Sequence, residues 1–315
     1  MELGNAAVPA ACPACGGRLA AWRHAPAAEA DSPAVALARC TRCASAVTLD
    51  AVADDAHDTG DYSAGAPRGA GLAAGLLRAF DRRRLALLRP AMPPPARLLD
   101  AGAGRGRFVA FALAAGYAAT GLEPSARGVA AARASYGIEL VRSPIDAAQV
   151  DPGSIDALTL WHVLEHVEDP DAVLRILRGW LAPGGALLVG VPNLASWQAR
   201  LAGERWYHLD LPRHRTHFTA AGLEVLLEAS GFEVERSHHV LAEHNPLGMW
   251  LAGVNRLTGR PSYLYHLLKR NAPLRSLDLV TTLLALPLAP AAVALELLAG
   301  LVRRGGTIAV VARVG

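Results

Sequence analysis

The chain has 315 residues, enough for one full-sized core with a small module beside it; 52% are hydrophobic and 19% charged, which excludes a disordered chain. A formal net charge of +3 is too small to indicate a nucleic-acid partner. With Lys269 the single lysine among 31 cations, the basic residues reflect an Ala-, Gly- and Arg-rich composition rather than a phosphate-binding face.

No cationic start followed by an apolar run opens the chain, so cytoplasmic synthesis without a secretory signal is expected, with four reduced cysteines free for metal. Those cysteines come first in chain order. Cys12, Cys15, Cys40 and Cys43 read C-x2-C-x24-C-x2-C, two knuckles able to close four thiolates around one structural zinc ion. Two disulfides or redox chemistry are the alternatives. Residues 1–55 are therefore expected to form a zinc-ribbon module, and chelation should unfold it while the rest of the chain stands. A polar, Gly-rich linker at 54–71 leads to a helix at 72–88, which Met92-Pro93-Pro94-Pro95 ends. Strands are then expected at 97–101, 118–123, 138–141, 157–161 and 186–191, and helices at 107–115, 125–136, 169–180 and 220–230. A strand at 232–237 precedes an apolar region of some sixty residues and a last strand at 307–313. Such alternation implies βαβ units and a parallel sheet.

The stretch Leu98-Leu99-Asp100-Ala101-Gly102-Ala103-Gly104-Arg105-Gly106-Arg107-Phe108 ends an apolar strand in a carboxylate, turns through three glycines and enters a helix. Glycines admit a ligand close to the backbone, and the helix N-terminus offers unpaired N–H groups. A dinucleotide site needs G-x-G-x-x-G, whose third glycine is here Arg107, and Asp100 would repel a pyrophosphate. Asp100 suits instead a cationic ligand with an amino acid moiety. Glu123, about twenty residues after the glycines, can accept from both hydroxyls of a ribose.

These residues resemble the class I S-adenosylmethionine (SAM)-dependent methyltransferases over roughly 97–240. The resemblance extends to Ile155-Asp156-Ala157, to Trp161-His162-Val163-Leu164-Glu165-His166-Val167-Glu168-Asp169-Pro170, which matches a VLEH…DP signature of small-molecule methyltransferases, and to Leu181-Ala182-Pro183-Gly184-Gly185. It implies an α/β, Rossmann-like sheet of seven strands with an antiparallel last strand. It also implies SAM held by Asp100, Gly102, Gly104, Gly106 and Glu123. Many members carry an acid at the end of the third strand; here Arg142-Ser143-Pro144-Ile145-Asp146 stands, leaving Ser143 and Ile145 as the adenine candidates. Trp161 is counted with the cofactor-binding residues. The implied organisation is a ribbon (1–55), a linker and helix (56–96), a SAM-binding core (97–240), an apolar helical insertion (241–302) and the final core strand (303–315). A similar ribbon precedes the core in some deoxysugar methyltransferases and in a ribosomal RNA guanine methyltransferase group.

Methyl transfer from a sulfonium needs alignment, and a hydroxyl acceptor needs a base. His162 and His166 lie at the expected crevice, and His214 falls in Pro212-Arg213-His214-Arg215-Thr216-His217-Phe218-Thr219, similar to an element that lines the acceptor pocket in related methyltransferases. Each of these three could instead be a packing histidine. Arg213 and Arg215 could hold an anionic acceptor or be solvated.

Residues 279–295 carry no charge but hold Pro287 and Pro290, and the last strand must return to the sheet. Two short helices folded as a hairpin are expected, contacting a membrane or serving as lid or dimer interface, with Arg256, Arg260, Lys269, Arg270, Arg275, Arg303 and Arg304 flanking them. The expected acceptor is a small molecule, sugar or lipid-like compound, methylated at oxygen by an enzyme that stays cytoplasmic or peripheral on the inner membrane face. An RNA base methyltransferase guided by the ribbon, and a non-catalytic SAM-binding assembly protein, are the alternatives. The modest charge argues against the first, the intact glycine turn against the second.

Overall fold

The computed structural model describes residues 8–27, 32–49, 70–241, 243, 245–259, 263 and 275–315. Most of the expected linker, and Arg260, Lys269 and Arg270, lie outside the described residues. An antiparallel ribbon comes first, made of β1 (Leu19–Ala25), β2 (Val35–Cys40) and β3 (Ala46–Thr48). Helix α1 (Ala70–Leu88) stops ahead of the proline run. Then follow β4 (Arg97–Ala101), α2 (Arg107–Ala114), β5 (Ala118–Leu122), α3 (Ala126–Tyr136), β6 (Ile155–Trp161), α4 (Pro170–Trp180), β7 (Leu181–Pro192) and α5 (Trp197–Ala202). The chain continues through β8 (Thr216–His217), α6 (Ala220–Ala229), β9 (Phe232–His238), α7 (Asn245–Val254), α8 (Ser276–Leu284), α9 (Ala289–Leu301) and β10 (Thr307–Val314). Ser125, Asp169, Ser196 and Thr219 cap α3, α4, α5 and α6, each side chain accepting from a backbone N–H of the first turn.

The large sheet runs β5-β4-β6-β7-β10-β9, and β10 is antiparallel to both neighbours. Seven strands are expected from the resemblance and, among the described residues, six form. Segment 138–141 touches the sheet through a single parallel bridge, Val141 to Leu122. It begins directly after the left-handed cap of α3 at Gly137 and meets Pro144, which has no N–H, so the run is too short for a ladder. Strands buried on both faces need apolar residues throughout. Leu98, Ala157, Leu188 and Val311 pack with Leu88 and Phe108, whereas Leu99, Leu158, Leu187 and Val310 pack with Leu174, Leu177 and Leu223.

Two further arrangements depart from expectation. The ribbon does not stand apart, because β8 joins its sheet, placing Ala46 opposite His217 and Val47 opposite Thr216. Leu19, Ala38, Val47, Cys12 and Cys40 belong to the same apolar cluster as Phe218 and Leu223, so unfolding the ribbon would expose part of the main core. The apolar segment is not a hairpin either. Ala285 and Leu288 keep helical dihedrals on either side of a 3-10 turn at Leu286–Leu288, and Ser276–Leu301 forms one helical path of 26 residues. Pro287 and Pro290 sit in the 3-10 turn and the first turn of α9, where a missing N–H is tolerated.

Candidate active site

At the carboxyl end of β4 the chain turns through Gly102, Gly104 and Gly106, with φ of 80°, 56° and 72°. The Gly102 and Ala103 amides donate to the Leu122 carbonyl at 2.9 and 2.8 Å, tying the turn to the end of β5. Glu123 follows immediately. Its Oε2 accepts from the Gly104 amide at 2.8 Å and its Oε1 from the Ser125 amide at 2.9 Å, so one buried carboxylate braces both the glycine turn and the start of α3. Ser143 and Ile145 lie just past the bridge residue Val141. Ser143 Oγ donates to the Pro144 carbonyl (2.9 Å), and Ile145 packs against the main apolar cluster.

Asp100, expected to meet an ammonium in the crevice, is buried and already partnered. It pairs with Arg84 of α1 and accepts from Thr159 Oγ1 at 2.6 Å. Burial pushes its pKa up, while Arg84 and Thr159 oppose the shift. The Arg84 guanidinium lies 3.7 Å over the Phe108 ring and 5.3 Å from that of Trp161. Arg107 forms a second layer, 3.2 Å from Asp81 and 3.7 Å from Glu243, which also accepts from Trp161 Nε1 at 2.9 Å. Burial raises the Asp81 pKa to about 6 against the pull of Arg107 and Arg84.

Beyond Trp161, His162 adopts a left-handed backbone (φ 55°), its amide held by the Gly190 carbonyl at 2.9 Å. Such a conformation costs a non-glycine residue about 1–3 kcal/mol and is concentrated at functional sites. His162 Nδ1 is 3.1 Å from Glu165 Oε1. Burial raises the Glu165 pKa, but the bond and charge of His162 and the nearby His166 and His214 bring it down to about 2. Glu165 is therefore ionised and only accepts, which puts the proton on Nδ1 and leaves Nε2 as the basic atom of His162. Burial disfavours the His162 cation, yet Glu165, and more weakly Glu243, hold its pKa above the ordinary value.

The other candidate histidines join the same carboxylate. His166 and His214 meet edge-on, ring centres 4.5 Å apart, with their Nδ1 atoms against the carbonyls of Arg213 (3.3 Å) and His208 (2.9 Å). Ligand atoms of Glu165, His166 and His214 lie within 4.8 Å of one another, a spacing able to hold a cation. His208 stacks on His162, centres 6.1 Å apart and planes 4° apart. His162 and His166 are partly exposed; His208 and His214 are buried. The two arginines considered for an anionic acceptor face acids: Arg213 pairs with Asp210, and Arg215 stands 3.8 Å from Glu168.

The family described as a methyltransferase domain matches residues 73–237, more than half of the chain. The chain belongs to the class I SAM-dependent methyltransferases. Its similarity to the ubiquinone biosynthesis O-methyltransferase of Xanthomonas campestris pv. campestris (strain B100) is 32% identity over 133 residues, 40% of this chain and 56% of that one. With the protein of the same name from Xanthomonas euvesicatoria pv. vesicatoria it is 30% over 160 residues, 47% and 67% of the two chains. The chain thus spans a little over half the length of the first of these relatives. A SAM-dependent methyltransferase structure from Mesorhizobium loti aligns at a TM-score of 0.46 and 19% identity, over 72% of this chain and 96% of that one.

The cysteines of this methyltransferase fit a metal tetrahedron. Cys12 and Cys43 Sγ are 3.8 Å apart, Cys15 and Cys40 Sγ 3.5 Å, and all four lie within 4.8 Å of one another. A disulfide would bring a pair to about 2.05 Å, whereas four sulfurs about 2.3 Å from a central zinc stand roughly 3.8 Å apart. Sequence reasoning missed Arg84, Glu165, Glu243 and Thr48. Only Glu165 carried a local signal, three residues after His162 on one turn. Arg84 is one of three successive arginines in α1, and nothing local distinguishes it.

The glycine turn allows a direct test. At Gly102 a Cβ would overlap Val163 Cγ2, on a stiff β-branched side chain, and φ is already 80°. Gly102→Ala is expected to lower stability by about 2 kcal/mol and to remove SAM binding, read by thermal unfolding and calorimetry.

Proposed function

We propose that this methyltransferase binds SAM in the crevice at the carboxyl ends of β4, β5 and β6. Its methyl acceptor would be a hydroxyl oxygen of an apolar small molecule of the isoprenoid-quinone type. The observation that carries the reading is the Glu165–His162 dyad at the end of β6, beside the glycine turn and Glu123. A hydroxyl acceptor must lose its proton as the oxygen attacks, and a base placed here can take it. The ubiquinone-biosynthesis relatives support the apolar hydroxyl class, and the pairing of Arg213 and Arg215 with acids argues against an anionic acceptor.

In this reading Glu123 accepts from the ribose hydroxyls, and Ser143 and Ile145 border the adenine. Arg84 and Asp100 are a cation and an anion side by side, complementary to the zwitterionic amino acid end of the cofactor, whose carboxylate Arg84 would hold and whose ammonium Asp100 would hold. When bound, SAM would supply an activated methyl for the acceptor oxygen, with its sulfonium becoming a neutral thioether as the leaving group. His162 Nε2 takes the acceptor proton, and the new imidazolium is held by Glu165. Trp161 and the buried His208 and His214 keep His162 in place and water out of the crevice.

Calorimetry with SAM and S-adenosylhomocysteine tests the cofactor assignment. Glu123→Gln, which keeps the shape and removes the charge, should weaken both about 10–100-fold, because hydrogen bonds to a charged group contribute about 1.5–3 kcal/mol. Unchanged affinity would remove Glu123 from the site. S-adenosylhomocysteine release measured with polyprenyl phenols, sugars and RNA side by side tests the acceptor class; transfer to RNA alone would overturn it.

A further inference from the structure

The helical path Ser276–Leu301 is long and apolar enough to cross a membrane by length and composition, yet among the described residues only one of its faces is covered by protein. How its charges are distributed decides what that means. Its two acids both point inward. Asp278 is buried, accepts from the Gly259 amide at 2.7 Å and is 3.2 Å from Arg275. Glu296 is buried, accepting from Gln198 Nε2 (2.7 Å) and the Gly306 amide (2.8 Å). Between them Trp250 Nε1 donates to the Ala285 carbonyl at 2.8 Å.

These three ties run along one side of the helix and fasten it to the body at both ends and in the middle. Pulling it away to span a bilayer would leave buried charges and amides unpaired, and β10 returns at once to the sheet. The opposite side is uncharged and open. Leu277, Leu284 and Leu301 are 77%, 75% and 72% exposed, and Leu283, Leu288 and Leu298 are exposed beside them. A surface of that size is far more than scattered exposed leucines. Arg275 stands at one end, 3.2 Å from buried Asp278 but itself exposed; at the other end stand exposed Arg303, 3.5 Å from Glu224, and exposed Arg304, whose guanidinium donates to the Ala195 carbonyl.

We infer that this face lies flat on an anionic lipid bilayer, leucines among the acyl chains and arginines at the headgroups. A second copy of the chain fits the face less well, because a two-fold contact along the helix sets the exposed guanidiniums of one copy against those of the other. The surface also leads toward the site. Tyr207 packs in the same cluster as Trp250, Ala285 and Ala289, and its ring lies 4.8 Å from that of His208, which stacks on His162. The inference concerns binding alone and stands whether or not the proposed acceptor is right.

Sedimentation of the full chain with vesicles of phosphatidylglycerol and phosphatidylcholine tests it. At low salt the protein should pellet with mixed vesicles and much less with phosphatidylcholine alone. Changing Leu277, Leu284, Leu288 and Leu301 to serine should weaken partitioning at least about 100-fold, since burial of one leucine is worth roughly tenfold. SAM affinity and melting temperature should not move. Leu284→Trp gives an independent reading: brominated acyl chains should quench the emission that the new indole adds. Wild type that stays in the supernatant, added emission that brominated lipid leaves unchanged, or a stable dimer in solution that the serine variant breaks would each overturn the inference.

Discussion

If Cys12, Cys15, Cys40 and Cys43 hold a structural zinc, as we propose from their spacing, methyl transfer is expected to disappear when that metal is removed, while SAM binding persists. The reason is the seam between ribbon and acceptor wall. β3 pairs with β8, Thr48 Oγ1 donates to the His214 carbonyl (2.6 Å) and lies 3.1 Å from His217 Nε2, and the Thr48 amide donates to the Arg215 carbonyl (2.9 Å). On the other side of Phe218, Thr219 donates its hydroxyl to the Cys43 carbonyl (2.7 Å) and its amide to Ser45 Oγ (3.1 Å). Thr219 also caps α6, and a Cβ at Gly222 in that first turn would overlap Ser45 Oγ. The chain carrying His214 is thus clamped by the ribbon before and after Phe218. A structural zinc site contributes about 10–16 kcal/mol of apparent binding energy, so the metal-free ribbon should unfold and release that clamp. Cys43→Ser, or exhaustive chelation, should reduce transfer at least about 100-fold, a loss of roughly 3 kcal/mol of transition-state alignment. The glycine turn and Glu123 are held by the end of β5 and the start of α3, so SAM affinity should stay close to that of wild type. Melting should begin earlier, because Phe218 and Leu223 lose cover. Full activity in protein that metal analysis shows to be zinc-free would end this account.

The second large effect is expected at the dyad. His162→Ala should reduce kcat by about 10²–10⁴, the usual contribution of a positioned base, with little change in SAM affinity. Glu165→Gln keeps a hydrogen-bond acceptor for Nδ1 but removes the charge that stabilises the imidazolium; a loss of about tenfold to a hundredfold in kcat is expected. His214→Ala should act mainly through position, since the ring is buried and its Nδ1 is held by the His208 carbonyl. Single-turnover measurements on the three variants separate these roles. If His162→Ala proceeds at the wild-type rate while His214→Ala does not, the base lies elsewhere in the cluster.

What the sequence by itself determined is the set of features whose physics is local. The glycine turn is legible because positive φ at Gly102, Gly104 and Gly106 is a property of the residues themselves, and the apolar runs of β4, β6 and β7 because a strand covered on both faces needs them. The cysteine tetrahedron is legible from spacing, each C-x2-C knuckle being short enough to set its own geometry. Tertiary structure alone decided the rest, where the energy lies between residues far apart in the chain. Asp100 faces Arg84 because α1 packs against α2 and β7, and no feature near Asp100 foretells it. The ribbon reads as a separate module until β8, two residues long, completes its sheet; a strand that short has no periodicity to detect. The prolines at 287 and 290 suggest a fold-back, but the Trp250, Asp278 and Glu296 bonds hold the helix along the body. Its acids look like ordinary surface charges in the sequence, and only their burial shows that the open face carries none.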